Sequence, residues 1–399
     1  MQAPAATRAP EDLPRRPKLA LVMTGGGARA AYQAGLLAGL CRRMPDLTFP
    51  ILTGVSAGAI NAAFLAQAEG DWRERTRRLC ELWLSIGVGD VIETGGLSLS
   101  RLVAGWSARL LTAGRLRSRS RQGLVDTTPL AATLARALGA DERGHLPGIA
   151  RNLAEGQLEA VAVTGTNYDT GCSVTWVQGT LIENWERRQR ISVPGALVLN
   201  QVLASAALPL LFPPVRLMGS WFGDGGIALT APLSPAVHLG AERILAVSTR
   251  FVPSRGCLDP TPGDDPPPAQ VAGALLNAVF LDSLDQDALN LARINDLLAR
   301  LAPARPANLR PVNVAVVRPS RDLGRLANDY EARLPKGLRF LTRGWGTRET
   351  RSNDLLSLLM FQPDYLSRLV ELGERDAETL GRELEHYLRA PLLVPSRGA

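Results

Sequence analysis

Residues 18–43, KLALVMTGGGARAAYQAGLLAGLCRR, decide the fold. Lys18 to Thr24 is a short apolar run, three glycines follow, and Ala28 to Arg43 has the apolar spacing of a helix. The stretch therefore reads as strand, glycine turn, helix. The same pattern returns in residues 49–68, FPILTGVSAGAINAAFLAQA, where Phe49 to Thr53 is apolar, Gly54 to Gly58 is a tight turn and Ala59 to Ala68 suits a buried helix. Alternating units of this kind predict a mostly parallel central sheet covered by helices, a three-layer α/β/α architecture.

Working outward, further strands are expected at Leu158 to Thr164, Ser173 to Gln178, Arg243 to Ser248 and Val312 to Val317, and helices at Trp72 to Ser85, Pro129 to Leu138 and Gly195 to Ala206. Residues 1–17 mix proline with both charge signs and read as a disordered tail without the apolar core of a signal peptide. Val252 to Gln270, rich in proline, reads as a loop inside the domain, because the strand-like Val312 to Val317 beyond it would otherwise be stranded. The expected division is a domain over 18–320 and a helical C-terminal extension over 321–399, packed on it.

Composition narrows the class. The chain has 399 residues, 46% of them hydrophobic and 21% charged, which excludes a mainly disordered, collagenous or coiled-coil protein. Two uncharged stretches, Ile51 to Ala68 and Ile191 to Val215, have bilayer-spanning length, but their polar residues and prolines fit a buried core better. The four cysteines, Cys41, Cys80, Cys172 and Cys257, are too irregularly spaced for structural zinc and argue for reduced thiols in a cytosolic protein. No metal or cofactor is expected. The formal charge of +7 raises the prospect of an anionic partner, against which stands a general arginine bias with no functional meaning.

Gly54-Val55-Ser56-Ala57-Gly58 is a G-x-S-x-G turn between a strand and a helix. Its glycines allow a sharp turn that exposes the serine hydroxyl at a helix N-terminus, where negative charge is favoured. Read alone, the pattern also fits a plain βα turn. Gly25-Gly26-Gly27-Ala28-Arg29 ends the neighbouring strand, so both turns should meet at one sheet edge, and consecutive glycines can point several N–H groups at an oxyanion. One such donor is typically worth about 3 to 4 kcal/mol in a transition state. Gly25-x-Gly27-x-x-Ala30 formally satisfies a dinucleotide fingerprint as well, but the acid wanted at the end of the second strand is missing; Asp46, the nearest, precedes that strand. A third element, Trp221-Phe222-Gly223-Asp224-Gly225-Gly226, embeds an aspartate in glycines, a pattern that a hairpin turn would also explain.

In this order and spacing the three elements resemble the patatin-like phospholipase family. The resemblance extends through Ala204-Ser205-Ala206-Ala207-Leu208-Pro209, Phe212-Pro213-Pro214 and Leu239-Gly240-Ala241-Glu242-Arg243-Ile244, and covers about Lys18 to Ser248. It implies a patatin-like fold and hydrolysis of carboxylic esters of lipids by a serine-aspartate dyad. Ser56 would be the nucleophile, Asp224 the general base, and Gly25, Gly26, Gly27 and Ala28 the oxyanion hole. Arg29 would bind a substrate phosphate or fix the glycine loop. A thioesterase or simple carboxylesterase, and a membrane-associated regulator with weak turnover, are the alternatives on the same fold.

The three histidines fit a dyad. His145 lies in a polar loop, His238 on a helix after the aspartate and His386 near the C-terminus, each suited to a surface or packing role. An ordinary aspartate, with a pKa near 3.9, is a poor base for a hydroxyl, so Asp224 must be partly desolvated. Arg101 to Arg121 carries six arginines and no acid at helical apolar spacing, which suits an anionic membrane surface or a lid. With one aromatic and no binding module, it gives little ground for nucleic acid. The expectation is a cytoplasmic protein, peripheral at the inner face of the membrane.

Overall fold

The computed structural model describes residues 17–93, 125–180, 182–252, 283–301, 309–335 and 353–390, with isolated positions at 267, 270, 271, 273–275 and 339. The N-terminal tail, Arg101 to Arg121 and nearly all of the proline-rich loop lie outside the described residues. Ten strands form one sheet: β1 (Leu19–Met23), β2 (Ile51–Val55), β3 (Ala160–Asn167), β4 (Ser173–Gly179), β5 (Glu186–Arg187), β6 (Arg190–Pro194), β7 (Val215–Leu217), β8 (Ser220–Asp224), β9 (Arg243–Val247) and β10 (Asn313–Val317). Along the sheet the order is β10-β9-β1-β2-β3-β4-β6-β5, and the β7–β8 hairpin attaches to β3. The run from β10 to β3 is parallel throughout. Val312 to Val317 does return to the sheet, as its outer parallel strand beside β9.

The central strands are apolar on both faces because helices cover both. On one face Leu21, Met23, Leu52, Leu245 and Val247 pack under α1 (Ala31–Arg43) and α2 (Ala57–Gln67). On the other, Ala20, Val22, Ile51, Ile244 and Ala246 meet residues 234–241 and Leu284. Residues that alternate along a strand go to opposite faces, so each strand needs apolar side chains at every position. α3 (Trp72–Ser85) begins with Asp71, whose side chain accepts the Glu74 N–H and satisfies an otherwise orphaned donor.

Two further helices, α4 (Asp354–Leu359) and α5 (Pro363–Arg389), form the C-terminal region. α5 lies along α1, where the Tyr32 hydroxyl donates to Asp376 Oδ2 at 2.9 Å. The helix expected over Gly195 to Ala206 is shorter, Leu199–Ser205, because the chain before it is held elsewhere: the Gly195 N–H donates to the Val177 carbonyl, the Leu197 N–H to Gln178 Oε1, and Val198 bridges His145. The Asp-Gly-Gly segment is not itself a hairpin turn: Asp224 ends β8 and Gly225–Ile227 form a 3-10 turn.

Among the described residues, no helix is long and apolar enough to cross a membrane.

Candidate active site

The parallel register sets Met23 beside Gly54 and Val247 beside Met23, so the turns after β1, β2 and β9 share the carboxyl edge of the sheet. Ser56 is the single residue between β2 and α2 and sits at φ 57°, ψ −131°. Such a conformation is costly for a residue with a Cβ and persists only where its surroundings over-determine it. Here the Ser56 N–H donates to Ser205 Oγ at 3.0 Å, and that hydroxyl donates in turn to the Thr164 carbonyl at 2.6 Å.

Asp224 arrives along the same edge of β3 as β2: β8 pairs with residues 165–167 beyond the end of β2, while β4 fills the opposite edge. Opposite Gly165 in the antiparallel β3–β8 pairing, it is completely buried. Its Oδ1 accepts the Gly226 N–H at 2.9 Å, whereas Oδ2 has no hydrogen-bond partner among the described residues. Burial pushes the carboxyl up to about 7; the nearby Ser56 hydroxyl and the Gly226 N–H pull the other way. The Ser56 hydroxyl is thus close enough to act on the carboxyl electrostatically, although the pair falls short of a formed hydrogen bond. A carboxyl poised near neutrality can take up and return a proton at ordinary pH.

The glycine loop closes on Ser56 directly. A Cβ at Gly25 would stand 2.8 Å from Ser56 Cβ and 3.3 Å from its Oγ, so only glycine leaves this approach undisturbed. The Gly25 carbonyl is held by Thr249, whose hydroxyl donates to it at 2.6 Å. Gly27 opens a 3-10 turn (Gly27–Ala30) at φ 53°, and a Cβ there would collide with the Leu358 carbonyl at 2.2 Å. The N–H groups of Gly26, Gly27 and Ala28 stand at the start of this turn, where no preceding carbonyl of the turn can accept them. They form no hydrogen bond with any described residue. Behind the loop Gln33 Nε2 donates to the Thr24 carbonyl at 3.0 Å, while Gln33 Oε1 accepts from Asn61, whose Oδ1 accepts the Trp83 indole N–H.

Arg29 is only 2% exposed. Its guanidinium bonds Ser357 Oγ at 2.7 Å, the Asp354 carbonyl at 2.8 Å and Asp354 Oδ1 at 2.6 Å. Burial and these contacts occupy the guanidinium and tie the residue that follows the glycines to α4. Beside Gly27 and Ala57 lies a narrow apolar cleft lined by Ile60, Trp83, Leu208 and Phe361 among others. Its free volume of about 30 Å³ would hold roughly two waters, so a larger guest must part the side chains.

His145 pairs with Asp141 and His238 stacks on Trp185, while His386 lies in the last turn of α5; none hydrogen-bonds to Ser56 or Asp224. Among the described residues no three His, Cys, Asp or Glu side chains gather as a metal site requires. Sequence reasoning did not single out Ser205, Thr249 or Tyr168. Tyr168 is half-buried beside Asp224, whose charge adds to burial in raising the phenol's pKa. Ser205 lies within the quoted Ala204-to-Pro209 segment, which was the available signal; Tyr168 and Thr249 follow strands at the same edge and carry no motif.

Fold and site together define an α/β protein with a serine on a strained strand-to-helix turn, a buried aspartate beside it and a glycine loop against it. The family model described as patatin-like phospholipase matches residues 21–237, more than half of the chain, and the chain belongs to that family. Similar solved structures include VipD from Legionella pneumophila, 14% identical over 90% of this chain and 67% of that one, with a TM-score of 0.34. Human GIVD cytosolic phospholipase A2 is 16% identical over 94% of this chain with a TM-score of 0.45, and this chain spans 59% of its length. ExoU of Pseudomonas aeruginosa, in complex with SpcU, is 25% identical over 41% of this chain and 35% of that chain, with a TM-score of 0.22. No curated protein sequence matches.

Proposed function

We propose that this chain hydrolyses carboxylic esters of lipids, with Ser56 as nucleophile and Asp224 as its general base. The observation that carries the reading is the meeting of a strained Ser56 with a buried Asp224 whose carboxyl titrates near neutrality. Asp224 takes the Ser56 hydroxyl proton as Oγ bonds to the ester carbonyl carbon. The carbonyl oxygen becomes an oxyanion held by N–H groups of the Gly25–Ala28 loop. Collapse of this intermediate expels the alcohol, which receives the proton from Asp224, and leaves an acyl-Ser56. Water then attacks the acyl group as Asp224 takes its proton, and Asp224 returns that proton to Ser56 Oγ as the carboxylic acid departs.

The apolar cleft at Gly27 and Ala57 suits the acyl chain, which enters by displacing side chains such as Leu208 and Phe361. Arg29 acts as a positioning residue for the loop. The membrane-facing role of Arg101 to Arg121 remains a proposal from the sequence. Release of fatty acid from phosphatidylcholine by the wild type, and its fall by about a thousandfold or more in Ser56→Ala, tests the assignment. Comparable release by a folded Ser56→Ala protein would refute it.

A further inference from the structure

The surface around the candidate site carries apolar side chains in positions the fold does not demand. β8 runs antiparallel to β3 with Asp224 opposite Gly165 and Phe222 opposite Asn167, the last residue of β3. The chain before Phe222 therefore passes beyond the carboxyl edge of the sheet, and the β7–β8 hairpin projects above the edge that holds Ser56. Its two-residue turn is Met218-Gly219, with φ 48° and 87°. A turn with both central residues at positive φ favours Asn-Gly, and an apolar long chain at the first position is unusual. Met218 is nonetheless 72% exposed.

Leu210 repeats the combination, at φ 65° and 71% exposed, in the loop that follows Ala207, whose carbonyl accepts the Asp224 N–H. Non-glycine residues at positive φ are few among the described residues, the others being Ser56 and Gln189. Trp221, across the hairpin from Arg216, lies under that guanidinium at 5.9 Å. Ile227, just past Asp224, and Tyr168, whose N–H donates to the Trp221 carbonyl, complete an exposed apolar rim. The one carboxylate among them, Asp169, accepts the Trp221 N–H.

We propose that this rim is a docking surface for a phospholipid bilayer. Met218 and Leu210 enter the apolar layer, while Arg216 and Trp221 stay at headgroup level, where a cation meets phosphate and an indole ring is favoured. The choice of a bilayer as occupant rests on the ester-hydrolase reading: Leu210 stands in the chain between Leu208 and Phe212, which line the apolar cleft, and the hairpin's second strand ends at Asp224. Strain supports it too. Two backbone positions hold a conformation that side chains avoid, and both present a large apolar group to solvent.

The test uses the full chain carrying Met218→Asn and Leu210→Asn together. Asparagine tolerates positive φ better than most residues, so both turns should persist. Co-sedimentation with phosphatidylcholine–phosphatidylglycerol vesicles should fall at least tenfold. Hydrolysis of a soluble short-chain p-nitrophenyl ester should stay within about twofold of wild type, because no atom of the candidate dyad is altered. Ser56→Ala should sediment like wild type. Undiminished sedimentation of the double variant, as a rim serving a protein partner would give, overturns the proposal, and so does a wild type that never sediments. A wild type that binds vesicles through these two residues but cleaves neither ester overturns the hydrolase reading while leaving the docking surface standing.

Discussion

Ser56 and Met218 share a positive φ and little else. Both sit at positive φ, 57° and 48°, at the ends of strands that lead to the same edge of the sheet. Ser56 is 3% exposed, locked by Ser205, flanked by Gly25 and packed into the largest core of the molecule, whereas Met218 is 72% exposed on a hairpin tip. Strain at the first is imposed by packing and holds a hydroxyl against Asp224. At the second, packing cannot be the reason, since little surrounds the side chain. Under the two proposals made above, strain in the core holds a group for reaction and strain at the rim holds a group out for contact.

The largest effect that could break this contrast is loss of Asp224. Asp224→Asn should lower ester hydrolysis by about 10²–10⁴-fold, read in steady-state kinetics. The same variant should be more stable than wild type at alkaline pH. With a folded pKa near 7, above the unfolded value of 3.8, the native carboxyl binds its proton more tightly. Wild-type stability therefore falls as pH rises from about 4 to 7 and stays reduced above that. Removing the group should restore about 2–4 kcal/mol at pH 8 and nothing at pH 4, measured by urea unfolding. Equal stability at pH 8 would show that Asp224 is not desolvated as described.

Next in size is Gly25→Ala. Its Cβ would meet Ser56 Cβ at 2.8 Å, so the loop or the serine must move. Turnover should fall by about 10²–10³-fold, the usual scale for a disturbed oxyanion donor, with about 1–3 kcal/mol lost in stability. Wild-type turnover would separate the loop from the reaction. The smallest effects sharpen the opening contrast itself. Ser56→Gly and Met218→Asn should each gain about 1 kcal/mol in thermal unfolding, because glycine and asparagine tolerate a positive φ better than the residues they replace. Only the first should abolish hydrolysis of a soluble ester.

Much of the core was legible in the sequence for a physical reason. Strands buried on both faces carry continuous apolar runs, as in Leu19–Met23, residues 160–163 and residues 244–247, and the glycines of both turns follow such runs one threonine later. The helix over Trp72–Ser85 is marked by a capping aspartate and its apolar spacing. The short β5 to β8 strands were not legible, because they are half-exposed ribbons of two to five residues with no apolar run. Nor was the setting of Arg29, whose partners Asp354 and Ser357 lie 325 and 328 residues away along the chain. Local spacing identifies a residue suited to chemistry; it says little about which distant segment occupies its hydrogen bonds. Met218 and Leu210 carried no motif at all, and their strain became visible only with the backbone.

The central claim is that Ser56 is a nucleophile activated by a carboxyl titrating near neutrality. Peptide mapping of the adduct formed with a lipid-like fluorophosphonate, followed from pH 5 to 9, tests both halves together. The account predicts a single adduct on Ser56, formed at a rate that rises with an apparent pKa near 7 and loses that dependence in Asp224→Asn. An adduct on any other residue, or a Ser56 rate indifferent to pH across that range, would contradict it.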